Sequence, residues 1–550
     1  MGKSLVIHND NRIYVIEHQD KTYKIEKQLN LFATSIKTPE RIHTYEIDEY
    51  SLWSAAALDI KSIDILEFLK INSNNQIPEN VKSYINDTIK DFWTLNFSYK
   101  DDHIVLIESN NVKVMKIVKE KIKERNEKNK GKKIVIMKNK SLSFAVNMDE
   151  SQILKDIMIK SNLFIKETVS NVSQIAIKVD CELYEYQKEA VEAFINGNGK
   201  DIVKRGLVTM PPGSGKTLVG LKIIETLKVR TLILVEKQDS FNIWRDEIYE
   251  KTNFNQSVKD TIECNKINDN ITIVTYRNTQ GQLFEKINQE RWGLIIYDDA
   301  HKLPSPKNQR TAFIASPYKL ALGSIIHRAD NNQNLIYKAI GPKLYSSTIK
   351  ELEARNIHIK VECMEIKLPQ NYWEIKNSDE ELHKEAKNIY KLESYKLIEG
   401  KHGDGNYVIG TYYQDVGEKF YNDINNAELA ISDKLPQKER EEFLYHINSR
   451  NFYKLIASEI IEKLPLKNID VSISISYKGS SNREEYLRIG KLKSSNIKTD
   501  ETIDKIGYYY ALVNINTKEE EKYRERRDNM ISYGYKFKIR DYNDLLKGDF

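Results

Sequence analysis

The sequence predicts an α/β protein built on mostly parallel sheets, with a small α+β region in front of them. Three observations carry that expectation. First, Val208-Thr209-Met210-Pro211-Pro212-Gly213-Ser214-Gly215-Lys216-Thr217 lies between two recognisable elements. Before it is a buried-type strand, Gly206-Leu207-Val208, and after it the helical apolar spacing of Leu218-Val219-Gly220-Leu221-Lys222-Ile223-Ile224. Second, Leu294-Ile295-Ile296-Tyr297-Asp298-Asp299-Ala300-His301 puts two carboxylates at the C-terminal end of an apolar strand. Third, strands such as Arg230–Val235 and Ile271–Tyr276 alternate with helical segments, one of which carries Trp244. That alternation implies a mostly parallel sheet with ligands at its carboxyl edge.

The first two observations are also chemical motifs. In a strand–loop–helix setting, Gly213, Ser214 and Gly215 let backbone N–H groups wrap a triphosphate, and the helix that follows points its positive end at the anion. Lys216 is placed to neutralise the β- and γ-phosphates, and the Thr217 hydroxyl to hold Mg²⁺. The strict pattern has glycine at Met210, so the loop is a variant. In the second motif Asp298 is the expected Mg²⁺ ligand, acting through water; Asp299 is expected to orient and polarise an attacking water, and His301 to couple the site to a moving partner. Gln187, in Leu183-Tyr184-Glu185-Tyr186-Gln187 just ahead of a helix, has two readings. Its amide offers the donor and acceptor that an adenine edge needs, or it is a plain surface residue. The two motifs in this order predict a P-loop ATPase using ATP and Mg²⁺.

Bulk properties bound the rest. A chain of 550 residues is too long for one core, and two to four domains are expected. A formal charge of +5 on 30% charged residues excludes a globally basic protein, so any nucleic-acid surface is local. Mean hydropathy is −0.58 and no apolar run approaches the ~20 residues of a membrane span. The stretch MGKSLVIHNDNR lacks a signal-peptide core and has no Ser or Thr at position six for myristoylation. Cys181, Cys264 and Cys363 form no CxxC and suit a reducing compartment. The expected location is therefore cytoplasmic, or nuclear in a eukaryote, and neither membrane-bound nor secreted.

In chain order, residues 1 to about 45 alternate apolar and polar, a β-rich start. Three short helices are expected next, at Tyr50–Leu58, at Ser62–Leu69 with Ser62 as its cap, and at Glu79–Ile85. A hairpin of Leu95–Tyr99 and His103–Ile107 would close them into a winged-helix-like module. The lysine-rich stretch 113–133, broken by Glu120, Glu124 and Glu127, reads either as a solvated amphipathic helix or as a phosphate-contacting strip. A further small α/β segment runs to about 175. Late in the chain, Gly405–Gly410, Tyr453–Ser458, Val471–Ser476 and Tyr508–Val513 read as strands of a second sheet.

These residues resemble superfamily 2 helicases, and specifically XPB-type DNA repair and transcription helicases. The resemblance spans most of the chain: Leu183–Gln187, Met210–Thr217, Asp298–His301, Gly341–Tyr345, Lys360–Glu365 and the closing Tyr533–Ile539. Tyr50–Leu58 is similar to the family's damage-recognition-like domain, and Arg328-Ala329-Asp330 stands where the family carries Arg-Glu-Asp. The resemblance implies two RecA-like parallel-sheet lobes after a small α+β N-terminal domain. It divides the chain into a damage-recognition-like or winged-helix-like region over 1–175, an ATP-binding lobe over 176–366 and a second lobe over 367–550. It also implies an ATP- and Mg²⁺-dependent translocase on duplex or forked DNA, with a protein partner such as a nuclease or a complex subunit.

Four departures gather in the parts that couple hydrolysis to movement. Gly323-Ser324-Ile325 replaces a Thr-Ala-Thr type motif, and Ile460-Ile461 replaces Gly-Asp. Asp299 stands for glutamate, about 1.5 Å shorter in reach. Leu487–Ser494 replaces Gln-Arg-x-Gly-Arg-x-x-Arg, leaving Lys491 and Ser494 at the arginine-finger positions and Arg488 as the candidate substitute. Two readings follow: a slow or partner-activated DNA helicase, or a degenerate member that binds DNA or nucleotide as a scaffold.

Overall fold

The computed structural model describes residues 4–550 except 17–21, 38–41, 91, 93, 100–102, 129–130, 132, 162, 197–203, 255, 325–333, 355–359, 370–377, 431–436, 451–452, 458–465, 467, 478–481 and 495–505. Arg328-Ala329-Asp330, Ile325 and Ile460-Ile461 lie outside the described residues. The chain forms two compact units. The first takes in Met1–Ile36, Ile42–Met210 and Gly215–Ser347, and the second is made mainly of Thr348–Phe550.

The first unit begins with a four-stranded sheet, in the order Leu5–Ile7, Arg12–Ile16, Ile42–Glu46, Thr34–Lys37. The β-rich start is interrupted by a helix, Thr22–Leu29, where Ile25 and Leu29 recur at the helical interval and Leu29 is buried. The three expected helices follow as Glu49–Ala57, Ser62–Asn72 and Glu79–Lys90, and they share one core with the sheet. Asp48 caps the first, accepting from the N–H groups of Tyr50 and Ser51. Ser62 is not the cap of the second. Lys61 holds that position, and its N–H donates 3.0 Å to the carboxylate of Asp64 three residues inside the helix.

The hairpin does not close these helices. Thr94–Tyr99 and Ile104–Glu108 belong to a second four-stranded sheet, ordered Ser143–Asn147, Ile104–Glu108, Thr94–Tyr99, Phe164–Val169. The lysine-rich stretch is a helix, Val112–Lys128, that buries Val114, Met115, Val118 and Ile122. Lys121 pairs with Glu124 at 3.1 Å and Lys123 with Glu127 at 4.0 Å, as a solvated amphipathic helix does.

Next comes a six-stranded sheet in the order Ile271–Thr275, Thr231–Val235, Leu294–Tyr297, Tyr318–Gly323, Arg205–Thr209, Lys343–Ser346. Every pair is parallel. Strands buried on both faces explain the unbroken apolar runs Thr231–Val235 and Leu294–Tyr297. The N-terminal region packs on helix Asn334–Ala339 of this lobe through aromatic and charged contacts. Tyr50 stacks on Tyr337 at 6.4 Å, and Lys338 lies 5.5 and 5.6 Å from the rings of Tyr50 and Trp53.

The join between the second small sheet and the parallel sheet is a buried charge cluster. Glu167, on strand Phe164–Val169, meets Lys155, Arg205 at 2.9 Å and Lys319 at 2.7 Å, and all four side chains are nearly inaccessible. Main-chain carbonyls take up the surplus donors: Phe313 and Ala312 each accept at 2.8 Å, from Lys155 and Lys319 respectively. Ala339 and Ile340 accept from Arg205 at 2.8 and 3.2 Å. Lys155 also lies 4.9 Å from the centre of the Tyr99 ring. Burial alone would raise the Glu167 carboxyl, but Lys155, Lys319 and Arg205 together hold it down to about 2.

The second unit holds a seven-stranded, RecA-like sheet, again with every pair parallel. Its order is Ala427–Ala430, Lys454–Ala457, Tyr407–Gly410, Val471–Ser474, Ile506–Asn514, Lys360–Leu368, Phe537–Asp541. All four late strands expected from the sequence are present. Lys360–Leu368 straddles the expected division at 366 and 367 yet pairs entirely within this sheet, so the second unit takes its chain from Thr348 onward. Among the described residues no helix is long and apolar enough to cross a membrane.

Replacing Glu167 with glutamine leaves three buried cations without their counter-charge. The expected cost is about 3–5 kcal/mol, read as an earlier urea transition of the full chain. Since the folded carboxyl titrates below its ordinary 4.5, its stabilisation is present above that value and lost as pH falls towards 2. The gap between variant and wild type should close over that window.

Candidate functional site

The carboxyl edge of the six-stranded sheet gathers the two sequence motifs. Strand Arg205–Thr209 runs into the loop, and helix Lys216–Leu227 leaves it. Gly213 and Gly215 have φ of 74° and 77°, left-handed values that a side chain would resist. Gly215 stands at the N-cap position, where no side chain occupies the first-turn N–H groups of the helix. The Ser214 hydroxyl donates 2.7 Å to the carbonyl of Pro211 and tightens the turn. Lys216 donates to the carbonyl of Met210 at 3.2 Å and to the Ser324 hydroxyl at 2.9 Å, so its ammonium is held over the loop. Thr217 lies in the first turn of the same helix.

Gln187 is buried against this loop and is no surface residue. Its side-chain carbonyl accepts from the N–H of Tyr184 at 3.0 Å. Its amide nitrogen lies 2.4 Å from where a Cβ on Gly215 would stand, so glycine is required there for shape as well as for φ.

Asp298 sits at the end of strand Leu294–Tyr297, anchored by its own N–H to the carbonyl of Leu234 at 2.9 Å. One carboxylate oxygen accepts from the Trp244 indole at 2.9 Å and the other from the N–H of Asp299 at 3.0 Å. The Tyr276 hydroxyl donates to the Asp298 carbonyl at 3.1 Å. Burial, and then the charge of Asp299, push the Asp298 carboxyl up to about 6; Trp244 and Lys216 pull against them. Asp299 has a left-handed φ of 49°, and its carboxylate lies 3.9 Å from Nδ1 of His301.

The donor set fits a magnesium nucleotide. Among the described residues no cluster of three or more acidic, histidine or cysteine side chains forms a closed metal cage. Magnesium is commonly bound by one or two carboxylates plus substrate phosphates, which is what Asp298, Asp299 and Thr217 beside a phosphate loop supply. Burial first, and then the charge of Asp299, raise the Asp298 carboxyl, and a bound cation would offset both.

Arg488 belongs to the second unit, on helix Asn482–Ser494. It is buried there, donating 3.0 Å to the Ser474 hydroxyl, 3.7 Å from Glu485 and 5.6 Å from the ring of Tyr412. Lys491 is on the same helix and half-buried. Sequence reasoning named Trp244, Tyr276 and Ser324 but missed their contacts with Asp298 and Lys216. For Trp244 a signal existed: Gly220, a glycine inside a helix, marks close approach, and a Cβ there would lie 2.6 Å from the indole ring.

Three family models match the chain. "Type III restriction enzyme, res subunit" covers residues 180–327, "ERCC3/RAD25/XPB C-terminal helicase" covers 419–547, and "Helicase conserved C-terminal domain" covers 5–127. The chain is similar to a protein of Kineococcus radiotolerans named DNA 3'-5' helicase XPB, 24% identical over 99% of this chain and 97% of that one. A protein of the same name from Mycobacterium tuberculosis is 25% identical over 98% of each chain. The general transcription and DNA repair factor IIH helicase/translocase subunit XPB of Enterocytozoon bieneusi is 25% identical over 98% of this chain and 93% of its own.

The position of Asp298 has a consequence for stability. A carboxyl raised from 3.8 to about 6 on folding weakens the folded state once ionised; the penalty is absent below the lower value and complete above the higher. Asp298→Asn is expected to raise the melting temperature of the nucleotide-free protein at about pH 7.5. That gain should vanish as the pH falls below 3.8.

Proposed function

The chain belongs to the XPB-type superfamily 2 helicases, and on that premise we propose that it is an ATP-dependent helicase or translocase acting on duplex or forked DNA. The observation that carries the reading is the convergence of Lys216, Gln187 and Asp298 at the carboxyl edge of one parallel sheet. Gln187 recognises the adenine, and Gly213, Ser214 and Gly215 cradle the phosphates with backbone N–H groups. Lys216 leaves Ser324 and Met210 for the β- and γ-phosphate oxygens. Thr217 and Asp298 are the residues that would hold Mg²⁺, whose charge, when bound, offsets that of the phosphates during attack. Asp299 accepts a hydrogen bond from the attacking water and sets its direction. Its short side chain makes for slow turnover, since about 1 Å of misplacement can cost ~100-fold.

The N-terminal region is read as the damage-recognition-like part of the family, and a complex subunit or a nuclease as the protein partner. The burial of Arg488 among Ser474, Glu485 and Tyr412 favours a second reading. With that guanidinium engaged inside its own unit, the protein would be a nucleotide- or DNA-binding scaffold with little turnover.

Steady-state ATP hydrolysis with Mg²⁺, with and without forked duplex DNA, separates the two. The motor reading expects turnover that rises with DNA and falls by about 100-fold or more in Lys216→Ala. Turnover indifferent to DNA would count against a motor, and nucleotide binding without turnover would favour the scaffold.

A further inference from the structure

We infer that Trp244 is a positioning residue for the magnesium half of the nucleotide site, an inference that rests on the magnesium-nucleotide reading above. Trp244, on helix Gln238–Lys251, is fully buried, so its indole N–H has no water to fall back on. It donates 2.9 Å to one oxygen of Asp298. The other oxygen accepts from the N–H of Asp299. Two donors from different directions fix the plane of the carboxylate, and each oxygen keeps a lone pair for a cation or its water.

The same ring also sets the position of the other expected ligand. Gly220 lies on helix Lys216–Leu227, one turn after Thr217 and so on the same side. A Cβ at Gly220 would approach Trp244 Cη2 to 2.6 Å and Ile296 Cδ1 to 3.5 Å. The indole therefore fills the space between the helix that carries Thr217 and the strand end that carries Asp298. Its six-membered ring sets the distance of the helix and its N–H sets the carboxylate. A partner that orients a metal ligand typically changes metal affinity by about 10–100-fold when removed.

The test measures binding of a fluorescent N-methylanthraniloyl ADP to the full chain while Mg²⁺ is titrated, and again in EDTA. Trp244→Phe is expected to raise the Mg²⁺ concentration for half-maximal enhancement by about 10–100-fold, with the affinity in EDTA unchanged. An unmoved Mg²⁺ midpoint, or an equal loss of affinity in EDTA, would mean that Trp244 only fills space, and would overturn the inference. Gly220→Ala keeps the N–H donor but displaces the ring, and it carries the test should Trp244→Phe fail to fold. Its midpoint should move in the same direction, and an unchanged one counts against the proposal. If wild-type affinity does not respond to Mg²⁺ at all, both the inference and the magnesium-nucleotide reading fall. A wild-type response with an unmoved variant removes the inference alone.

Discussion

The first unit depends on one carboxylate. Among the described residues Glu167 is the anion that pairs with Lys155, Arg205 and Lys319, none of which has appreciable access to water. Two of those cations rise from neighbouring strands of the parallel sheet, and the third from helix Met148–Lys160, which packs on the second four-stranded sheet. Their shared counter-charge is thus the seam along which the N-terminal region and the nucleotide-binding sheet become one body. Buried ion clusters seldom add much net stability over a well-packed apolar core, because desolvation cancels most of the attraction. What such a cluster supplies is selectivity of docking, since any shifted register would leave bare charge in a dry interior.

That seam bears on the site through the strands it fixes. Arg205 opens the strand that ends at the phosphate loop, and Lys319 lies on the strand that ends at Ser324, the residue that holds Lys216. Charges at the amino ends of two adjacent strands and chemistry at their carboxyl ends are therefore separated only by rigid, fully paired backbone. The arrangement keeps the costly electrostatics of docking apart from the electrostatics of catalysis, so that Asp298 and Lys216 respond to each other and to ligand.

Much of this was legible in the sequence, for a physical reason. The phosphate loop and the Asp298-Asp299 strand end are local patterns, in which a few consecutive residues dictate backbone shape and charge. Doubly buried strands announce themselves as apolar runs, which is why both parallel sheets could be anticipated. Pairings between distant segments could not. Thr94–Tyr99 lies beside Phe164–Val169, a neighbour far along the chain, so the hairpin was grouped with the wrong helices. Glu167 has no local signal of its role, because Arg205 and Lys319 arrive from distant parts of the chain. Trp244 was visible as an apolar position on a helix, but its hydrogen bond to Asp298 exists only in the fold.

The left-handed backbone at Asp299 gives its shortened side chain another meaning. Aspartate and asparagine enter that region more readily than longer residues, because their polar groups bond locally. Side-chain length and backbone hand are thus linked at this corner. Lengthening the residue to glutamate would extend its reach while adding torsional strain at the turn that aims it.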